Sequence, residues 1–193
     1  MPKVGMEPVR RRQLIEATIE SIHQDGFRDA TVAKISRRAG LSVGLVNHYF
    51  DGKGELLEAT MQSLAAETMA GAAAMLTGAT TPEEELIAII DGNFAPSQRS
   101  PEAISAWLSF YAQVPGNPDY ARILREMDDN LLGLLRPRLE KVVAADKVDV
   151  RAQAIVALIY GMWLRHTQDP DGFNLEVIHQ IARDHVADLA AAG

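Results

Sequence analysis

Apolar positions return every three or four residues along nearly the whole chain, and polar residues paired with Gly or Pro cut that pattern into segments. A first helix is predicted from about Val9 to Gln24, with Ile15, Thr18, Ile19 and Ile22 on one stripe and Asp25-Gly26 ending it. Before it, Pro2, Gly5 and Pro8 mark residues 1–8 as an arm. A long helix is expected from Gly52 through Leu56, Leu57, Met61, Leu64, Met69 and Met75 toward Gly78, with Gly71 as its weak point. Thr81-Pro82-Glu83-Glu84 has the order of a cap, an N1 proline and a capping-box glutamate, and Ser100-Pro101 and Asn117-Pro118 repeat the cap and proline. Helices are therefore predicted at about 82–95, 101–114 and 118–145, the last interrupted near Pro137, and then at 149–167 and 174–190. No alternating stretch or hairpin dipeptide reads as a strand, so the class is all-α.

Between the first helix and the long one, TVAKISRRAGLSVGLVNHYFDGKGE (Thr31–Glu55) reads as two very short helices around a tight turn. Thr31 caps the first, Gly40 stops it, Leu41 fills the turn, Ser42 caps the second, Val43–Tyr49, and Asp51 starts the long helix. Helices this short are unstable alone, so neighbours must hold them. Phe27 is expected to fold onto a small core with Ile35, Leu45 and Tyr49 or Phe50. A short helix held out by its neighbours is the build of a helix-turn-helix, whose second helix enters a DNA major groove; an ordinary helical hairpin shares the spacing. The outward residues Val43, Gly44, Asn47 and His48, with Tyr49 and Lys53 after them, favour the DNA reading. They are small, polar or basic where a solvated hairpin carries Glu and Lys pairs.

Charge changes the picture once the chain is divided. The net charge of −7 argues against a polyanionic partner, but residues 1–55 hold nine Lys and Arg against seven acids, and the rest ten against nineteen. A mildly basic end thus precedes an acidic body, although chance asymmetry gives the same split. Arg10, Arg11 and Arg12 stand near a helix N-terminus, where the dipole disfavours cations; an external polyanion would account for them, as would plain solvation. The absence of cysteine excludes disulfides, Cys-ligated zinc, iron–sulfur clusters and a thiol nucleophile. No apolar run reaches membrane-spanning length and none follows the N-terminal bases, so a cytoplasmic protein is expected. Gly52-Lys53-Gly54 lacks the third glycine and preceding strand of a dinucleotide site, the five histidines have no metal-ligand spacing, and no nucleophile elbow occurs. Neither enzyme activity nor a metal or cofactor is predicted.

The run from Gln13 to Leu56, with TVAKISRRAGLSVGLVNHYFDGKGEL at its heart, resembles the DNA-binding domain of TetR-type repressors. Within that family, MPKVGMEPVRRRQLIEATI and SVGLVNHYF are similar to the choline-responsive repressors of glycine betaine synthesis, as are the later islands GNF, WLSFYA and GMWLR. The resemblance implies a TetR-like fold, with a helix-turn-helix three-helix domain over 1–55 and a helical effector-binding and dimerisation domain over 56–193. It further implies a homodimer on double-stranded, palindromic operator DNA, with the two heads about one helical turn, roughly 34 Å, apart. Effector binding in the body would shift the long helix and spoil that spacing.

Residue types assign the DNA roles. Val43, Gly44 and Asn47 suit contacts to a thymine methyl and a base edge, and His48, Tyr49, Lys53, Arg11, Arg12 and the cap hydroxyls of Thr31 and Ser42 suit phosphates. The core of the head is the alternative place for Tyr49. The resemblance carries Tyr49 and Lys53 over best. In the body, Ala154–Leu164 is apolar nearly all round and Leu175, Ile178, Ile181, Ala182, Val186 and Leu189 give a broad apolar face. The resemblance implies that these last two helices pair across a two-fold axis; burial within one chain is the other outcome. Phe94, Trp107, Phe110, Tyr111, Tyr160 and Trp163 are six of the eleven aromatics. They suit an ordinary core. The resemblance makes them candidates for a ring-faced cage around choline, with Asp91 or Glu102 as counter-charge, because a quaternary ammonium has no hydrogen to donate. Two alternatives stay open: a repressor answering another hydrophobic or cationic ligand, such as an efflux or catabolic regulator, and a helical protein-interaction module without a DNA role.

Overall fold

The computed structural model describes residues 6–191, among which no strand occurs. The α-helices are α1 (Met6–Asp25), α2 (Val32–Arg38), α3 (Val43–Tyr49), α4 (Gly52–Met75), α5 (Pro82–Gly92), α6 (Pro101–Gln113), α7 (Pro118–Leu139), α8 (Val148–Gln168) and α9 (Leu175–Ala191). The chain divides into two compact units. One takes in the chain to Ala65 together with Ser100–Ile123, the other Ala66–Arg99 together with the chain from Leu124. The division falls further along α4 than the boundary expected at residue 55, and α6 groups with the helix-turn-helix.

In the first unit, cap chemistry sets the short helices. Thr31 Oγ1 accepts from Lys34 N at 3.3 Å, and Ser42 Oγ accepts from Leu45 N at 3.2 Å. The turn between them passes through Gly40 at φ 65°, a left-handed conformation that an L side chain would strain, and Leu41 N returns to Ser36 O at 2.8 Å. Leu14, Ala17, Ile35, Ala39, Val46, Phe50 and Leu56 form the buried core. Three expectations are corrected here. The buried residue of α3 is Val46, because Leu45 lies on the rim, half-buried. The ring of Phe27 packs edge-on against Phe110 of α6 at 5.6 Å between centroids, because α6 lies along α1 in this unit. The buried stripe of α1 runs through Leu14, Ala17, Thr18, Ser21 and Ile22, with Ile15 and Ile19 half-buried beside it.

Of the arm expected over 1–8, residues 1–5 lie outside the described residues, and Met6, Glu7 and Pro8 are already helical. Proline is tolerated there because the first turn has no intrahelical partner for an N–H.

The second unit is built on Leu86, Ile89, Ile90, Leu131, Leu135, Leu139, Ile155, Ile159, Ile178 and Val186, from α5, α7, α8 and α9. Its α5 begins with a complete capping box: Thr81 Oγ1 accepts from Glu84 N at 3.2 Å and the Glu84 carboxylate accepts from Thr81 N at 3.3 Å. The helix predicted to 145 ends at Leu139, two residues past Pro137, whose ring nitrogen has no hydrogen for the ladder. Within this unit α4 and α5 meet backbone to backbone. A Cβ on Gly71 would stand 2.6 Å from Gly92 O, and one on Gly92 would stand 2.7 Å from Gly71 O.

Candidate functional site

The first unit presents α3 outward. Val43 is 44% exposed, and Gly44, Asn47 and His48 are exposed, while Val46 on the opposite face is fully buried. The free N-terminal amides of α2 and α3 open beside Thr31 and Ser42, both exposed. Tyr49 is half-buried, packed against the head core on one side and the His48 ring at 5.0 Å on the other. These groups can read a base edge, cover a thymine methyl and donate to phosphates.

The basic residues behave differently. Arg11 Nη1 donates to the Tyr49 carbonyl, its guanidinium lies 4.1 Å from the Phe50 ring centre, and it is 3.7 Å from Glu55. It therefore braces α1 against the end of α3. Arg12 projects with its side chain 81% exposed; among the described residues its ion pair is with Glu16 on its own helix, at 2.8 Å. Lys53 Nζ donates to the carbonyls of Phe27 and Arg28 at 3.1 and 3.0 Å, and burial pulls its pKa down. Asp25 accepts from Lys34 at 3.0 Å and from Arg38 at 3.1 Å, which holds its carboxyl below the usual carboxylate range.

The second unit holds a cavity of about 490 Å³, within the span of small-molecule sites. Its lining includes Gly71, Ala74 and Met75 from α4, Asp91 and Gly92 from α5, Phe94, Ala95, Pro96 and Arg99 from the turn that follows, and Leu175, Ile178 and His179 from α9. Both glycines of the α4–α5 crossing are in this lining. Asp91, with 15% of its side chain exposed, hydrogen-bonds through Oδ2 to His179 Nδ1. Burial raises the Asp91 pKa, opposed by His179 and by the positive charge of Arg183. Arg99 Nε donates to the Phe94 carbonyl at 2.8 Å.

Of the residues predicted for a ligand cage, Asp91 and Phe94 line this cavity together. Tyr160 and Trp163 are in the same unit but outside the lining, and the Tyr160 hydroxyl donates to Asp128 at 2.7 Å. Glu102, Trp107, Phe110 and Tyr111 belong to the first unit. Trp107 stacks on Tyr111 at 5.5 Å, and Phe110, fully buried, meets Phe27 and Tyr120 edge-on. His179 escaped the sequence reading although it stands one helical turn from Leu175 on the apolar face; Arg99 carries no local signal. Among the described residues no group of three or more His, Asp or Glu is placed to hold a metal, and no helix is long and apolar enough to cross a membrane.

Comparison with known proteins adds an independent line. Residues 14–60 match the family of bacterial regulatory proteins of the tetR type, and residues 82–191 match the C-terminal domain of BetI-type transcriptional repressors. The HTH-type transcriptional regulator BetI 1 of Chromohalobacter salexigens is 38% identical over 192 residues, 99% of this chain and 95% of that protein. A solved structure of a proposed transcriptional regulator from Pseudomonas aeruginosa PAO1 superposes with a TM-score of 0.84 at 29% identity, over 95% of this chain and 91% of that one. A proposed transcriptional regulator from Saccharomonospora viridis, solved in complex with choline, shares the fold with a TM-score of 0.79 at 17% identity, over 93% of this chain and 96% of that one.

Proposed function

Because the chain belongs to the TetR family of bacterial regulatory proteins, in the branch with a BetI-type repressor C-terminal domain, we propose that this DNA-binding transcriptional repressor takes choline as its effector. Under this reading it works in the cytoplasm and controls the genes that convert choline to glycine betaine. The family is one of regulators rather than enzymes. One observation carries the effector reading: a partly buried carboxylate, Asp91, and an aromatic ring, Phe94, line one otherwise largely aliphatic cavity. A quaternary ammonium is held by that combination, since it can only be surrounded by ring face and counter-charge. The choline complex of the Saccharomonospora viridis regulator supports it through the fold the two share.

On the DNA side, α3 enters the major groove of one half-site of a palindromic operator, with Asn47 at a base edge and Val43 against a thymine methyl. Thr31, Ser42, His48, Tyr49 and Arg12 meet phosphates, and Arg11 and Lys53 hold the surface that does so. Two copies pair through α8 and α9. The outward side of α8 carries Val150, 61% exposed, and Leu164, 46% exposed, side chains that a partner would cover. Effector occupancy is passed to the head through α4, which supplies residues to both units and lines the cavity at Gly71, Ala74 and Met75.

Phe94 is the one Phe, Tyr or Trp among the described lining residues, which favours a second reading within the same family: a more hydrophobic ligand of an efflux or catabolic regulator. A titration of labelled DNA from upstream of the gene, with and without choline at two salt concentrations, separates them. Salt-sensitive binding weakened by choline supports the first reading. Salt-sensitive binding indifferent to choline sinks it and leaves the second; binding indifferent to salt sinks the DNA role itself.

A further inference from the structure

The charges around the cavity leave one cation without a counter-charge among the described residues. Its carboxylate, Asp91, already has a hydrogen-bond partner in His179 and lies in the field of Arg183. Its guanidinium, Arg99, has no charged partner among the described residues. Among the described residues the one hydrogen bond of Arg99 runs from Nε to the Phe94 carbonyl at 2.8 Å, and no carboxylate stands within ion-pair distance of it. That bond is also an orienting one, because it ties the guanidinium to the backbone of a residue that itself lines the cavity. An arginine keeps its charge throughout the physiological range, and its planar fork of donors matches a carboxylate in two places at once. Most of the remaining lining is aliphatic. The unanswered charge in the pocket is therefore positive, at Arg99.

We infer that the pocket is built for a small zwitterion, a quaternary ammonium bearing a carboxylate, with the ammonium end against Asp91 and Phe94 and the carboxylate against Arg99. The inference rests on the cavity being the effector pocket and adds Arg99 as its specificity residue. Choline offers Arg99 a hydroxyl. Trimethylglycine differs from choline in having a carboxylate in place of the alcohol, so the pair isolates what Arg99 reads. Tert-butylacetate, in which carbon replaces the ammonium nitrogen, isolates the other end.

The test is calorimetric titration of the full chain with these three compounds at fixed pH and salt, repeated on Arg99→Gln and Arg99→Lys. In the unmodified protein trimethylglycine binds at least as tightly as choline and about tenfold or more tighter than tert-butylacetate, since a buried polar group left unanswered rejects the analogue. Arg99→Gln lowers the ratio of trimethylglycine to choline affinity by about tenfold or more, and Arg99→Lys, which keeps the charge but not the fork, restores part of it. The inference is overturned if trimethylglycine binds less tightly than choline, if tert-butylacetate matches it, or if Arg99→Gln leaves the ratio unchanged. In each of those cases choline binding leaves the effector pocket standing. If neither ammonium compound binds, the pocket reading fails and takes this inference with it. The comparison within the unmodified protein needs no variant to fold.

Discussion

Gly71 and Gly133 are both glycines inside long helices, at ordinary helical φ, and replacing either by alanine makes the same chemical change. Removing a helix-interior glycine is worth roughly 0.5–1 kcal/mol to the folded state, through lost backbone freedom in the unfolded chain. Gly133 should deliver that gain, since a Cβ there meets nothing within 4 Å. A Cβ on Gly71 meets Gly92 O at 2.6 Å and the Ala95 Cβ at 3.2 Å, where ordinary contact begins at 3.4 Å, so one helix must move by roughly 0.8 Å. The nearer obstacle is a backbone carbonyl, which no rotamer change can move aside. Overpacking of this kind costs about 1–3 kcal/mol. Set against the propensity gain, Gly71→Ala is neutral to destabilising by about 2.5 kcal/mol, and lies roughly 1–3 kcal/mol below Gly133→Ala.

Urea denaturation of both variants at one protomer concentration measures the difference without assuming that the reference state is a monomer. If Gly71→Ala stabilises as much as Gly133→Ala, the close approach of α4 and α5 is not a constraint on the fold. Because Gly71 and Gly92 both line the cavity, a destabilised Gly71→Ala should also bind effector more weakly, as the helices part where the ligand sits.

Two further outcomes follow from the first unit. Asn47→Ala should weaken operator binding by about 1–3 kcal/mol and relax discrimination at one base pair while leaving the salt slope unchanged; anisotropy titrations over a salt series measure both, and a reduced slope would place Asn47 on phosphate instead. Asp25, held below the usual carboxylate range by Lys34 and Arg38, contributes stability that is fully present above the carboxylate's unfolded pKa and lost as pH falls through the lower folded one. Asp25→Asn should therefore lower the melting temperature near neutrality and flatten its decline below about pH 4, and a parallel decline in both proteins would refute the assignment.

The local chemistry of the fold was legible in the sequence because each signal acts within one helical turn. Thr31, Ser42 and Ser100 cap where expected, the Thr81–Glu84 box closes, and Gly40 takes the left-handed turn that stops α2. What an apolar stripe does not encode is its partner. The face of α6 reads as core, but nothing in its spacing says that Phe110 meets Phe27, or that α6 groups with the helix-turn-helix rather than with the body. The site shows the same division. Asp91 and Phe94, three residues apart in sequence, line one cavity, whereas Trp107 and Phe110 belong to a different compact unit. His179 and Arg99 reach the cavity from elements remote in sequence. Gly71 reads in the sequence as the weak point of a long helix; it is the place where α4 and α5 touch, and both glycines of that contact line the cavity.

Counting charges misjudges the head for a related reason. The excess of bases over acids in residues 1–55 suggests a surface that attracts DNA through its cations, yet several of those cations are committed within the protein. Arg38 bonds to Ser21, Gln24 and Asp25, Lys34 to Asp25, Lys53 to two carbonyls, and Arg11 to the Tyr49 carbonyl. Arg12, Arg28 and Arg37 are exposed. Each committed cation that turned to a phosphate would leave its internal acceptor unanswered, so its net contribution to binding is less than its charge implies. In the proposed DNA-bound arrangement, the free amides at the starts of α2 and α3 and the hydroxyls of Thr31 and Ser42 share the phosphate contacts with these exposed arginines. Fewer released counterions follow, and with them a salt dependence shallower than the count of bases predicts.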